Sequence, residues 1–416
     1  MRFLGSVPSI VCAALLAACP LASMLPPLAA EETYADPIDG FLARDGMVLS
    51  PEGVGVGGMT VSREGHLILY ANGALVIREP EGDRTLASFD PPVYGSFLVL
   101  SPDGESVYFG ESSEWYIYRV PLHDGEAQKV DQLHWSYDLA FDSSGRGFVS
   151  ALRNNPANEI VLLDDDPATY NSPVITNIAG WSGTLTFDGD GNLYYATADL
   201  SGDPTRQSLH RYSRAQIEAA VDGEVIDFST DPGTILLEGM DGFYNLRWFE
   251  GRLYFTELGF VSGAGSIQTL DPQHNFLPET LATFAKTPDP ESALVSPTYF
   301  CFRGGARAFA AGNGPAGGTL LVSYSIYKQV LRVAEIMPEL HFVRADLNGD
   351  DSVDISDAVA LLHYLFLGAT APEPLVAADA DADGELRLTD AIFILEFLFN
   401  GGPTIPPPYP ERGPAE

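Results

Sequence analysis

Between Gly55 and Ile336 one pattern returns six times: a short apolar run, a tight polar turn with glycine, and a second apolar run rich in aromatics. It is read in "MTVSREGHLILYA", "LVLSPDGESVYFG", "LAFDSSGRGFVSA", "LTFDGDGNLYYAT", "LRWFEGRLYFTE" and "YFCFRGGARAFAA". The turn glycines are Gly65, Gly104, Gly145, Gly191, Gly251 and Gly305, so the spacings are 39, 41, 46, 60 and 54 residues. Each copy is a hairpin signal, because a glycine supplies the positive φ that a tight turn demands. A third strand often follows, as in "EWYIYRVPL" and "NEIVLLDDD". A four-stranded unit needs roughly 40 residues, and that period marks propeller blades. One such unit cannot cover both faces of its sheet, whereas units set around an axis cover each other. The spacing therefore predicts a mainly β chain built on a six-bladed propeller. A seven-bladed ring, with one degenerate blade in the 60-residue interval, is the alternative. "DGFLARDGMVLS" can close the ring beside "QVLRVAEI", and "RAQIEAAVDGE" reads as a short helical insert.

A second repeat follows. "DLNGDDSVDISDAVALLHYLFLGA" from Asp346 aligns without gaps on "DADADGELRLTDAIFILEFLFNGG" from Asp379, at an offset of 33. Counted from the first aspartate, positions one, three, five, seven, nine and twelve are Asp346, Asn348, Asp350, Ser352, Asp354 and Asp357. In the second copy they are Asp379, Asp381, Asp383, Glu385, Arg387 and Asp390. Carboxylates this close repel one another unless a hard cation sits between them. The spacing is that of an EF-hand loop wrapping Ca²⁺, with position seven contributing its backbone carbonyl and position twelve reaching back from the following helix. Two Ca²⁺ sites are expected, coupled to folding. The metal candidates are Asp346, Asn348, Asp350, Ser352, Asp354, Asp357, Asp379, Asp381, Asp383, Glu385 and Asp390. Position six is Asp351 in the first loop, where the turn favours glycine, and Gly384 in the second. Arg387 occupies position nine, where an oxygen is expected.

Aspartate at position twelve, with no helix before either loop, resembles dockerin modules, which are duplicated loop-helix calcium units. That resemblance implies a small all-α module over 341–402 that docks to a cohesin-like or other cell-surface protein. Dockerins carry Ser or Thr at positions ten and eleven toward a cohesin; here these read Ile355, Ser356 and Leu388, Thr389. The helices are apolar on nearly every face and packing on each other uses one stripe each, so Leu361, Tyr364, Phe366, Phe393 and Phe397 are expected to meet the propeller or a partner protein. The segment 403–416, "PTIPPPYPERGPAE", reads as a flexible Pro-rich tail.

Charge narrows the partners. The chain of 416 residues has 22 Lys plus Arg against 57 Asp plus Glu, a net −35, which argues against nucleic acid and anionic membrane surfaces. "MRFLGSVPSIVCAALLAACPLASMLPPLAAEE" reads as an export signal over 1–30 cleaved after Ala30, leaving no membrane-spanning segment in the mature chain. Secretion or a cell-surface location follows. In the alternative, "LAAC" acts as a lipobox and Cys19 is lipidated, which would suit a structural surface component. Cys12 and Cys19 lie in this leader, so only Cys301 remains and no internal disulfide framework is expected.

The propeller turns, over 31–340, are similar to those of NHL and gluconolactonase-like propellers. Gluconolactonase-like enzymes hold an axial divalent metal, but no residue here is carried over to that role. Scattered histidines, without HExxH or GxSxG, supply no catalytic constellation. "DGDGN" at Asp188–Asn192 reads as a hairpin turn before it reads as a cation site. Trp135, Tyr137, Trp181, Tyr244 and Trp248 are expected near blade ends, as core between blades or as the lining of a central pocket able to stack a sugar ring. Two functions stand side by side: a tethered recognition protein, and an enzyme acting on a glycan or lactone with the propeller as catalytic domain.

Overall fold

In the computed structural model, residues 35–37, 41–50, 57–71, 73–154, 157–164, 171–198, 207–249, 251–259, 264–284, 295–303, 319–326, 331–338, 341–369, 371–372 and 374–414 are described. For 35–50 and 295–338 the description is of backbone alone. The leader, with Cys12, Cys19 and the cleavage point after Ala30, lies outside the described residues. The chain divides into two compact units, one holding the large sheets and the other built chiefly on Met337–Glu416.

The first unit is a propeller of antiparallel meanders. The first blade is Met59–Val61, Leu67–Ala71, Ala74–Glu79 and Gly82–Ser88. The second is Gly95–Leu100, Ser106–Glu111, Tyr116–Pro121 and Gln128–Gln132. The third, Asp138–Phe141, Gly147–Asn154, Ala157–Leu162 and Pro173–Ile178, gains a parallel edge from Ile226–Asp227. The fourth is Leu185–Phe187, Leu193–Ala196, Ser208–Tyr212 and Thr234–Glu238. The fifth, Phe243–Phe249, Arg252–Glu257, Gly265–Leu270 and Pro278–Phe284, takes Ala35–Pro37 on its outer edge. These five blades have described side chains. A further four-stranded sheet orders Val295–Arg303, Thr319–Ile326, Leu331–Pro338 and Phe41–Ser50, the last being the N-terminal strand expected beside "QVLRVAEI". The mainly β propeller is therefore present, but five blades do not support the expected count of six, or of seven. The reason is physical: hairpin turns mark local units, whereas a blade count needs the packing around them. Cys301 falls on the strand Val295–Arg303.

The turns form for the expected reason. Gly65, Gly104, Gly145, Gly191 and Gly251 have φ of 87°, 75°, 85°, 86° and 86°, the left-handed region that only glycine enters freely. The turn's first residue also uses its side chain. Asp142 Oδ1 accepts from Arg146 N at 2.9 Å, and Asp188 Oδ1 accepts from Asn192 N at 2.8 Å. Asp188 Oδ2 further accepts from Asn192 Nδ2 and Tyr194 Oη. Its oxygens thus serve the turn and its neighbours, which supports the turn reading of "DGDGN".

Between blades lies the core. Tyr70 and Phe109 join the first pair (centroids 4.6 Å apart), Tyr108 and Phe141 the second (5.2 Å), Phe148 and Phe187 the third (4.9 Å). Tyr194 stacks on Trp248 between the fourth and fifth blades (5.8 Å, 14° between planes), so Trp248 is core. Every residue of Ser106–Glu111 and of Leu193–Ala196 is buried, as covering both sheet faces requires. Each such aromatic contributes about 1.5–3 kcal/mol by removal from water. A polar tie crosses three blades near the axis: the buried Asp138 carboxylate accepts from Thr184 Oγ1 (2.5 Å), Leu185 N (3.1 Å) and both Nη atoms of Arg247 (2.8 and 3.1 Å). The expected helical insert is α1, Arg214–Val221, with a Ser213–Gln216 capping box.

The second unit carries two helices, α2 (Ile355–Leu367) and α3 (Leu388–Phe399), each following one acidic loop. Ala358, Leu361, Ala391 and Ile394 pack between them with Ala345, Leu347, Ala378 and Ala380. Tyr364, Phe393 and Phe397 join this core partly buried, while Phe366 stays 63% exposed. The segment expected to be a free Pro-rich tail packs onto the module instead. Ile405 is buried in the helical core, Tyr409 meets Phe397 edge-on at 5.4 Å, and Gly413–Pro414 pairs with His341–Phe342. Composition points to mobility; the buried isoleucine and the partly buried tyrosine among the prolines supply the apolar anchors.

Candidate metal centre

Each acidic loop is wound by its own backbone amides. In the first, Asp346 Oδ1 accepts from Gly349 N (2.8 Å) and Asp350 N (3.2 Å), and its Oδ2 from Asp351 N (2.8 Å). In the second, Asp379 Oδ1 accepts from Asp383 N (3.0 Å) and Oδ2 from Gly384 N (3.1 Å). The first aspartate therefore sits at the centre of each curl. Position five does the same for position seven: Asp350 Oδ1 accepts from Ser352 N (3.0 Å) and Asp383 Oδ1 from Glu385 N (2.8 Å). Asn348 donates Nδ2 to Asp350 Oδ2 at 3.0 Å, and Asp381 Oδ1 accepts from Asp383 N at 3.2 Å.

Position twelve ties each loop to its helix. Asp357 Oδ1 accepts from Leu347 N (2.7 Å) and Asn348 N (3.2 Å), and Oδ2 from Asp354 N (2.9 Å). Asp390 repeats this with Ala380 N (2.9 Å) and Arg387 N (2.8 Å). Both carboxylates are fully buried. Burial pushes each above its ordinary range, against the opposing pull of these amides. Asp350, by contrast, is held low by the Ser352 hydroxyl. Asp354 also caps α2, accepting from Ser356 N at 2.7 Å.

The backbone repeats a shared conformation. Positions four and six are left-handed in both loops: Gly349 (φ 74°) and Asp351 (64°), then Ala382 (59°) and Gly384 (83°). The expected strain at Asp351 is thus real, and Ala382 carries its counterpart in the other loop.

The donor set fits a hard cation. One carboxylate oxygen from each of Asp379, Asp381 and Asp383 lies within 4.8 Å of the other two, the one such group of three among the described residues. Clustered oxygen donors of this kind suit Ca²⁺ rather than a soft metal. In the first loop Asn348 replaces one carboxylate. Ser352 and Glu385 are exposed and available through their carbonyls; the Ser352 hydroxyl turns to Asp350 (2.6 Å), and the Glu385 carboxylate pairs with Arg387. Arg387 also lies 3.7 Å from Asp383, so the second loop contains its own partial counter-charge.

One residue that braces the loops precedes the motif and is not picked out by the loop spacing. Arg344, 9% exposed, donates Nε to Pro407 O (2.8 Å) and Nη1 to the Asp379 carbonyl (2.5 Å). Its Nη1 is 3.8 Å from Asp379 Oδ2. It joins the start of one loop, the start of the other and the C-terminal segment. The available signal was a lone arginine inside the apolar "HFVRAD".

These features define a class: a β-propeller followed by a duplicated loop-helix unit of the EF-hand kind. More particularly, residues 344–398 match the Dockerin type I domain. Dockerin domains bind calcium and dock to cohesins. No curated protein matches the chain. Among solved structures, the PQQ-bound aldose sugar dehydrogenase of Streptomyces coelicolor is 11% identical over 72% of this chain and 99% of its own, with a TM-score of 0.46. A protein assigned as a gluconolactonase is 15% identical over 72% and 94%, with a TM-score of 0.45. A nidogen/laminin complex chain is 14% identical over 60% and 91%, with a TM-score of 0.42. Likenesses at this level carry no argument about this chain's chemistry. Among the described residues no helix is long and apolar enough to cross a membrane.

Proposed function

We propose that this is an exported protein whose C-terminal module, folded around Ca²⁺ at two loops, docks the propeller to a cell-surface or extracellular partner of the cohesin kind. The observation that carries the reading is duplication of exposed apolar side chains. Ile355 and Leu388 are 55% and 47% exposed, Val359 and Ile392 43% and 46%, Phe366 and Phe399 63% and 66%, each pair separated by the 33-residue offset. Core-facing positions repeat because the helices pack on each other. Both copies keep large apolar side chains at these exposed positions where polar ones would serve solubility better, and a protein partner supplies a reason to keep them.

Asp346, Asn348, Asp350, Asp354 and Asp357 would hold one ion, with the Ser352 carbonyl. Asp379, Asp381, Asp383 and Asp390 would hold the other, with the Glu385 carbonyl. Bound Ca²⁺ supplies the charge that lets buried Asp357 and Asp390 stay ionised; the chain's amides orient both carboxylates beforehand. We read 31–340 as the propeller and 341–402 as the docking module.

Calorimetry on EDTA-stripped full-length protein tests the metal half: two sites are expected, Asp346→Ala removing one and Asp379→Ala the other. Surface binding to immobilised cohesin modules tests the docking half. The combined Phe366→Ser and Phe399→Ser protein should bind at least ten-fold more weakly with its calcium stoichiometry unchanged. Unaltered heats in both aspartate variants sink the first half; unaltered cohesin binding, or none by the parent protein, sinks the second.

A further inference from the structure

Three of the four tryptophans come together within the first unit. Trp115 and Trp135 have ring centroids 4.6 Å apart at 40°, and Trp135 and Trp181 are 5.5 Å apart at 68°. His134 lies 5.9 Å from Trp115. All three indoles are partly exposed and His134 is exposed.

Topology places them at one end of the propeller. In a four-stranded meander, the connection between the second and third strands and the connection to the next blade leave from the same end. Trp115 follows Ser106–Glu111 and precedes Tyr116–Pro121, the second and third strands of the second blade. Trp135 lies between the second and third blades, and Trp181 between the third and fourth. Three loops from successive blades therefore build one strip. Tyr137 continues along this end toward the fifth blade, donating its hydroxyl to the Tyr244 carbonyl at 3.0 Å.

Two of the three are held at a conformational cost. Trp115 has φ 69° and Trp135 has φ 53°, a region that bulky side chains rarely enter. The loops fix them there. The buried Glu111 carboxylate accepts from Ser113 N, Glu114 N and Tyr116 N around Trp115, and the Trp115 carbonyl accepts from Leu133 N at 2.9 Å. Backbone strain retained at partly exposed aromatic residues points to use. A turn built for stability alone would carry glycine or asparagine at these positions. Beside Trp135, the buried Ser136 hydroxyl has no hydrogen-bond partner among the described residues.

We propose that Trp115, Trp135 and Trp181 form a stacking strip for a neutral oligosaccharide or polysaccharide chain. Indole faces pair with the apolar C–H faces of pyranose rings, and an angled row fits a chain of rings better than one compact ligand. Exposed Gln132, His134 and Glu114 border the strip with donors and acceptors for hydroxyl groups. The net −35 charge disfavours an acidic glycan.

The test uses the full-length protein in calcium, with tryptophan emission followed during titration by cellohexaose, xylohexaose, mannohexaose and N-acetylchitohexaose, and co-sedimentation on insoluble cellulose and chitin. Saturable binding to at least one glycan is expected. Trp135→Asn should weaken it at least ten-fold while leaving or raising the melting temperature, because asparagine tolerates the left-handed backbone. Trp115→Gly should behave likewise, and Trp181→Phe should keep most of the affinity. Failure of every glycan to bind overturns the proposal. So does binding that survives both Trp115→Gly and Trp135→Asn, or a strip that binds tetramethylammonium in place of sugar. A lowered melting temperature in both variants would reassign the cluster to packing.

Discussion

Truncation of one side chain tests whether the C-terminal segment belongs to the dockerin-type fold. Ile405 is 4% exposed and reaches the core formed by Ala345, Leu347, Leu361 and Ile394. Replacing a buried isoleucine by alanine costs about 2–5 kcal/mol. A module this small has only about 3–5 kcal/mol from its core without the metal. In a domain of this size each kcal/mol moves the midpoint by about 4–8 °C. Ile405→Ala should therefore lower the module's melting transition by at least about 10 °C in calcium, read by scanning calorimetry, with the propeller transition unmoved. Ending the chain after Gly402 should cost more. It removes Tyr409 from Phe397, and it strips Arg344 Nε and N of the Pro407 and Pro408 carbonyls. A shift below about 2 °C in both proteins would refute the reasoning, since the segment would then be attached to the module without stabilising it.

Three further outcomes follow from the same contacts. Ala382→Gly relieves a left-handed alanine, worth about 1–2 kcal/mol less the backbone entropy of glycine, so the module should melt a few degrees higher, whereas Gly349→Ala should melt lower. Arg247→Ala leaves Asp138 buried with Thr184 Oγ1, Leu185 N and Leu139 N as partners but no counter-charge; about 3 kcal/mol of propeller stability should be lost in urea unfolding, the low end for a broken buried pair because the Arg247 side chain is 24% exposed. Burial raises the Asp131 carboxyl above its ordinary value despite the Asn171 amide 2.6 Å away. The native state then binds more protons than the unfolded chain, so this group's contribution is complete below about pH 4 and falls as pH rises through the raised value. Asp131→Asn should flatten that slope in pH-dependent unfolding, and an unchanged slope would place its origin elsewhere.

The parts of this fold that were legible share one property: they are set by residues close together in the chain. Gly104 and Gly191 announce hairpins because φ is a local variable. The acidic loops are legible because Asp346, Asp350 and Asp357 lie within one curl, and the second copy repeats their spacing at Asp379, Asp383 and Asp390. What stayed hidden depends on distant contacts. Ile405 reads as one apolar residue among prolines until Leu361 and Ile394 are placed beneath it. Arg344 reads as a surface charge until the Asp379 carbonyl and Pro407 close around it. Trp115 reads as part of an ordinary strand, since the rings it meets are 19 and more residues away in the chain.

Duplication also explains how each loop tolerates an imperfection. Both need two left-handed residues, and each spends one glycine: at position four in the first, at position six in the second. The residue without glycine differs in consequence. Asp351 is exposed and pairs with Arg412 from the C-terminal segment, so its strain is partly offset by a contact outside the repeat. Ala382 has no side chain able to form such a pair, and its loop also places Arg387 near Asp383. Strain and an internal cation both fall on the second loop, while the first has neither the arginine nor the isolated alanine. With both proposed sites loaded, a chelator should therefore empty the second loop first.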